Sequence, residues 1–157
     1  MDGGRDYEEI WREVGPTLWR AVYAFSGGRR EIADDAVAEA FAAAMERNGE
    51  VRDPKAYCYR VAFRLAAGDL RRERAATPTS DETAGPAEDQ GHEARMDILT
   101  ALRDLSPTQR AAVYLHYHAD LPVREVARLL GASGPAIWVQ LMRGRRRLSE
   151  VLRERQP

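Results

Sequence analysis

The stretch LPVREVARLLGASGPAIWVQLMRGRRRL, residues 121–148, decides how the second half of this chain folds. Val123, Val126, Ala127 and Leu130 recur at helical spacing, which gives one apolar face to a short helix whose first turn accepts Pro122. Gly131 supplies the left-handed residue that ends it. Ser133 is the expected N-cap of a second helix, on which Ile137, Leu141 and Leu148 share a face. Ala127 lets the helices approach, Gly131 makes the turn, and Ile137 locks the second helix on the first. The result is a helix-turn-helix whose outer face is free for a DNA major groove. An αα-corner without DNA contacts shares the pattern. The arginines at 143, 145, 146 and 147 tilt the balance toward a phosphate-bearing partner.

Charge along the chain supports this. The net charge of −1 hides a segregation: residues 1–76 carry −1, residues 77–97 carry −5, and residues 98–157 carry +5, from 10 arginines against 5 acids. Only the last piece is basic, as a phosphate-binding module should be. Lys55 is the sole lysine, so positive charge is almost all guanidinium, suited to bidentate contacts; base composition of the genome accounts for the same bias. A single Cys58 excludes an internal disulfide and argues against a cysteine metal site. No signal peptide or apolar run of membrane-spanning length is visible, so a cytoplasmic protein without membrane insertion is expected.

Residues 77–96, TPTSDETAGPAEDQGHEARM, contain no large aliphatic or aromatic residue before Met96 and read as a flexible acidic linker. They divide the chain into helical units at 1–76 and 97–157, giving an all-α fold of two small domains.

In the first unit, Tyr7 to Phe25 carries Ile10, Val14, Leu18, Val22 and Phe25 at helical spacing, with a kink or restart expected at Pro16. Gly27 and Gly28 break it. Ala33, Val37, Ala40, Phe41 and Ala44 define the buried face of a second helix, whose other face bears Asp34, Asp35 and Glu39; such a run is ordinarily a solvated face. Asp53-Pro54 starts a third helix running to about Arg74. Two stripes, Tyr57/Val61/Leu65 and Tyr59/Phe63/Leu70, mean that both faces are buried or that one offers aromatics to a partner. Aromatics among Arg60, Arg64, Arg71 and Arg72 suit single-stranded DNA, by stacking and phosphate pairing; a core helix with a basic edge has the same composition.

In the second unit a helix is expected around Asp97–Leu105. Ser106-Pro-Thr-Gln109 then reads as a capping box with proline at the first helical position, opening a helix to about His118. His116 and His118 fall on different faces, with no thiol or carboxylate cluster to complete a metal site. No nucleophile with a base, paired carboxylates, glycine-rich phosphate loop or other cofactor motif is present, so neither catalysis nor a cofactor is expected.

In this order, ADDAVAEAF (33–41), RDPKAYCYRVAFRLAAGDLRR (52–72), an acidic linker, ALRDLSPTQR (101–110) and the helix-turn-helix, the chain resembles an extracytoplasmic-function sigma factor, a small two-domain member of the sigma-70 family. The resemblance implies that the first domain binds the β′ clamp helices of core RNA polymerase through Asp34, Asp35, Glu39 and Phe41. It implies that Tyr57, Tyr59, Arg60, Arg64, Arg71 and Arg72 melt and read the −10 promoter element. It further implies that the second domain docks on the β flap and reads the −35 element through Ser133, Pro135, Ala136, Trp138, Val139, Gln140, Arg143, Arg145 and Arg146. An anti-sigma factor is a common partner in the family, and association with the nucleoid in the holoenzyme follows. The chain departs from the family pattern at Ala38, Tyr57, Phe63-Arg64 and above all at Trp138 and Gln140, which stand where cations are usual. Trp138 suits thymine methyls, the polymerase or a regulator, with a protein partner ranked first. Two other readings stay open: a helix-turn-helix regulator whose first half is a sensor or dimerisation bundle, and a sigma-like protein that binds polymerase without reading a −35 element.

Overall fold

The computed structural model describes residues 6–76 and 101–155. The expected linker at 77–96, and most of the helix expected from Asp97, lie outside these residues, and only residues 101–103 of that helix are seen as helical. All regular structure among the described residues is helical: α1 Tyr7–Phe25, α2 Arg30–Glu46, α3 Pro54–Ala76, α4 Pro107–Val113, α5 Val123–Leu130 and α6 Gly134–Arg155.

Helix α1 starts where Asp6 Oδ1 accepts from the backbone N–H groups of Glu8 and Glu9 at 3.1 and 3.3 Å, a cap worth about 1 kcal/mol. It continues through Pro16 without a restart. Proline's ring crowds the Cβ and N–H of the residue before it, but that residue is Gly15, which has no Cβ to crowd and lies against the Trp11 indole. Gly27 and Gly28 take positive φ and turn the chain into α2. Ala33, Ala36, Val37, Ala40, Phe41 and Ala44 are buried on α1 and α3, so small residues let three helices meet closely. Asp53 Oδ1 caps α3 through the Ala56 N–H at 3.1 Å.

The second half begins with the expected capping box: Ser106 Oγ accepts from Gln109 N–H at 3.3 Å, and Gln109 Oε1 accepts from Ser106 N–H at 3.2 Å. The α-helix it opens ends at Val113 and gives way to a π turn, Tyr114–His118, in which Ala119 N–H reaches Tyr114 O at 3.0 Å. Within this turn Leu115 is buried, and His116 Nδ1 meets Leu121 O at 2.7 Å. Helix α5 ends at Gly131, φ 67°, as its sequence requires. Ser133 Oγ accepts from Ala136 N–H at 3.2 Å and starts α6, which seats Ile137 and Leu141 out of solvent against α4 and α5.

Helix α6 crosses α4 at Gly144, where a Cβ would stand 2.6 Å from Val113 Cγ2. The two halves share one buried cluster, with α3 packed on α5 and α1 on α4.

Candidate nucleic-acid and polymerase interface

Three surfaces carry the residues singled out from the sequence. The first is the outer face of α2. Asp35 and Glu39 are exposed; Asp34, also exposed, accepts a hydrogen bond from Trp19 Nε1 at 2.7 Å, so it is positioned by α1. Phe41 is buried and meets the exposed Trp11 edge-on at 4.7 Å, so Phe41 itself offers no surface to a partner and the aromatic bonded to the acids is the partly exposed Trp19. No role for Trp11 is legible in the sequence because its partner in α2 lies 30 residues away.

The second surface lies where the loop after α2 enters α3. Arg47, Glu50, Val51, Arg52, Asp53, Ala56, Tyr57 and Arg60 surround an open cavity of about 350 Å³. Three guanidinium groups against two carboxylates, with a half-buried phenol ring beside them, form a polar hollow large enough for a planar aromatic base. Arg64, Arg71 and Arg72 follow along α3 with exposed side chains, Arg72 paired with Asp69. Tyr59 is different. It lies two residues from Tyr57, hence on another helix face, and is 1% exposed between Phe63 and the second half of the chain. Burial pushes its phenol up to about 12, helped by the nearby Tyr114 phenol and Glu125 carboxylate. As placed here Tyr59 is a core residue and not a stacking surface, so the two aromatic stripes have separate fates. Burial likewise raises the Cys58 thiol to about 11, as befits a core thiol.

The third surface is the outer face of α6. At about 100° per residue, Pro135, Val139, Met142 and Arg146 fall within an arc of about 60°. Trp138 is 54% exposed and Met142 63%, and Val139, Met142, Arg143 and Arg146 enclose a shallow hollow of about 200 Å³. Arg145 leans over the Tyr117 ring at 5.7 Å and is thereby drawn toward the π turn. Ala136 is exposed, Gln140 is partly covered, and Ser133 spends its hydroxyl oxygen on the helix cap. The structure gathers Pro135, Trp138, Val139, Arg143 and Arg146 on one accessible face, and adds Met142 to it.

Contacts between the halves were invisible in the sequence. Arg103 Nη2 donates to Gly27 O at 2.9 Å, and buried Arg110 donates to Phe25 O while its guanidinium lies 5.8 Å from the Phe25 ring centre. Arg60, assigned to DNA from the sequence, donates instead to Arg128 O at 2.9 Å. The pairing of guanidinium with a distant backbone carbonyl leaves no periodic trace; only arginine in an otherwise apolar run, as at Arg110 before Ala111-Ala112-Val113, hints at it. Among the described residues no cluster of His, Cys, Asp and Glu could hold a metal, and no helix is long and apolar enough to cross a membrane.

Residues 95–148, the capping-box helix and the helix-turn-helix, match the family Sigma-70, region 4. Over 159 residues the chain is 27% identical to the ECF RNA polymerase sigma factor BldN of Streptomyces coelicolor, covering 93% of this chain and 60% of that protein, so it spans about three fifths of its relative's length. The fold is similar to that of the sigma factor RpoE of Bartonella quintana, solved with the anti-sigma factor NepR: TM-score 0.77, 20% identity, 97% of this chain and 99% of that one. It is also similar to the extracytoplasmic function sigma factor SigJ of Mycobacterium tuberculosis, with TM-score 0.64 and 27% identity over 90% of this chain and 53% of that one. The second half of the chain thus carries a sigma-70 region 4 sequence on its helix-turn-helix, and the chain as a whole is similar in fold and in part of its sequence to extracytoplasmic-function sigma factors.

Proposed function

We propose that this chain is an alternative sigma factor: it binds core RNA polymerase, directs it to a subset of promoters and helps to open them, with no catalytic chemistry of its own. The observation that carries the reading is the placement of the region 4 match on a complete helix-turn-helix, in the same chain as an exposed acidic face on α2 and an arginine-lined hollow at the start of α3. In this reading Asp35 and Glu39, with Asp34 held by Trp19, meet basic residues of the β′ clamp. Tyr57 and the arginines around the hollow take an unstacked base of the melted −10 strand, and Arg64, Arg71 and Arg72 follow its phosphates. Helix α6 addresses the −35 element while the second domain docks on the β flap. The protein acts in the cytoplasm, with the nucleoid when in holoenzyme, and an anti-sigma factor of the kind that RpoE binds is a fitting regulator.

A second reading is favoured by one observation. The outer face of α6 exposes Pro135, Trp138, Val139 and Met142 where base edges call for hydrogen-bonding groups, so −35 recognition is weak and polymerase contacts dominate the second half. A regulator acting through the helix-turn-helix alone leaves the acidic face of α2 without a purpose. Reconstitution with core polymerase from the source organism on genomic fragments tests the proposal: specific transcripts are expected, and none above core alone would refute it.

A further inference from the structure

The end of α1, the middle of α3, the start of α4 and the end of α5 enclose a partly open hollow of about 270 Å³. Its wall is largely apolar: Phe25, Phe63, Ala67, Ala111 and Leu130 line it, and the two buried rings meet edge-on at 5.0 Å. That pair is locked between α1 and α3, so this part of the wall is preformed. Arg60 and Arg64 also line the hollow, exposed and one helical turn apart, and none of the nine lining residues is acidic. Neither guanidinium takes part in an ion pair among the described residues; Arg60 donates to a neutral carbonyl, Arg128 O at 2.9 Å.

Two like charges at i and i+4 repel, and an anion set between them relieves that repulsion while accepting hydrogen bonds from both. The apolar wall calls for more than an anion, since a phosphate group would leave it uncovered. A nucleobase would bury its ring nitrogens and carbonyls against a lining whose sole neutral polar side chain is the Thr108 hydroxyl. Apolar walls with a few convergent polar groups, at a junction between two units, are the common makeup of small-ligand sites. At roughly 30 Å³ per water-sized group, the space holds about nine non-hydrogen atoms.

We propose that this hollow is a binding site for a small anionic amphiphile, a monocarboxylate with an apolar body of about six to eight carbons. Its carboxylate bridges Arg60 and Arg64, and its body covers the wall formed by Phe63, Ala67 and Leu130. The sigma-factor reading places Arg64 on the −10 strand, so on that reading acid and strand compete for one guanidinium. Binding of the acid is a property of the free chain and does not depend on that reading.

The test is isothermal titration calorimetry of the full chain, without DNA or polymerase, with octanoate as the probe and octanamide as its uncharged twin. Octanoate is expected to bind saturably at one site per chain, roughly tenfold tighter than octanamide. Arg64→Gln should weaken octanoate by about the same factor and leave octanamide unchanged. Ala67→Leu extends a side chain into the hollow and should abolish binding of both. If Ala67→Leu loses its helix signal in circular dichroism, the Arg64→Gln comparison decides alone. No saturable octanoate binding, equal affinity for octanoate and octanamide, or wild-type octanoate affinity in Arg64→Gln would each overturn the site. Specific transcription without octanoate binding would remove the site and leave the sigma reading standing; octanoate binding without transcription would do the reverse.

Discussion

The two surfaces assigned to DNA differ in kind. Around the start of α3 the lining is polar and arginine-rich, and two of its side chains, with Lys55 nearby, already satisfy partners within the molecule: Arg60 on Arg128 O, Asp53 on Arg128, Lys55 on Glu125. Along the outer face of α6 the lining is apolar, and Trp138 and Met142 stand more than half exposed. A polar surface that is occupied can be regulated by releasing it; an apolar surface left in water gains most from a partner that covers it. On the proposed function, strand capture belongs mainly to α3, while α6 contributes protein contact and nonspecific phosphate pairing through Arg143 and Arg146.

Four experiments break or sharpen that contrast. The largest effect should come from neither DNA surface: Asp35→Arg with Glu39→Arg is expected to abolish binding to core polymerase in a pull-down while helical content is kept. Unchanged core affinity would remove the frame in which the two surfaces are compared. Next is Gly144→Ala, which drives a methyl into Val113 and should cost the second half about 1–3 kcal/mol, seen as a lower midpoint in urea. A wild-type midpoint would mean that α6 sits farther from α4 than described. Third, Arg71→Ala with Arg72→Ala should weaken promoter binding by the holoenzyme by about 1 kcal/mol or more and flatten its salt dependence. Permanganate footprints unaffected by the double change would take these residues off the melted strand. The smallest effect on sequence choice is expected from Trp138→Ala, with a larger change in affinity for core or for a protein regulator. The reverse ordering would make Trp138 a base reader.

What could be read in the sequence was local. Asp53-Pro54, the Ser106–Gln109 box, Gly131 and Ser133 each act within one turn of chain, and all four sit where their chemistry predicts. Helical spacing also found the buried faces of α1 and α2, but not Leu129, which is fully buried because α5 is covered on a wider arc than one stripe. The helix continues past Pro16 because Gly15 relieves the crowding on the residue before the proline, and the π turn at Tyr114–His118 leaves no mark in a pattern tuned to 3.6 residues. The fate of Tyr59 depends on which element covers it, and that element lies in the other half of the chain. Gly144 shows the same limit: a glycine in mid-helix reads as a weakness until the helix it lets in is known. Of the candidate site, residue types and their order were legible; which arginines stay open to solvent and which bind the protein itself was not.

The most direct measurement is transcription by core polymerase plus this chain from a promoter library randomised at both elements, with the transcribed templates sequenced. Transcripts should depend on the added chain, with sequence requirements concentrated at the −10 element and little preference at −35. No chain-dependent transcript, or a sharp −35 motif that vanishes on Trp138→Ala beside an unconstrained −10 element, would contradict the account.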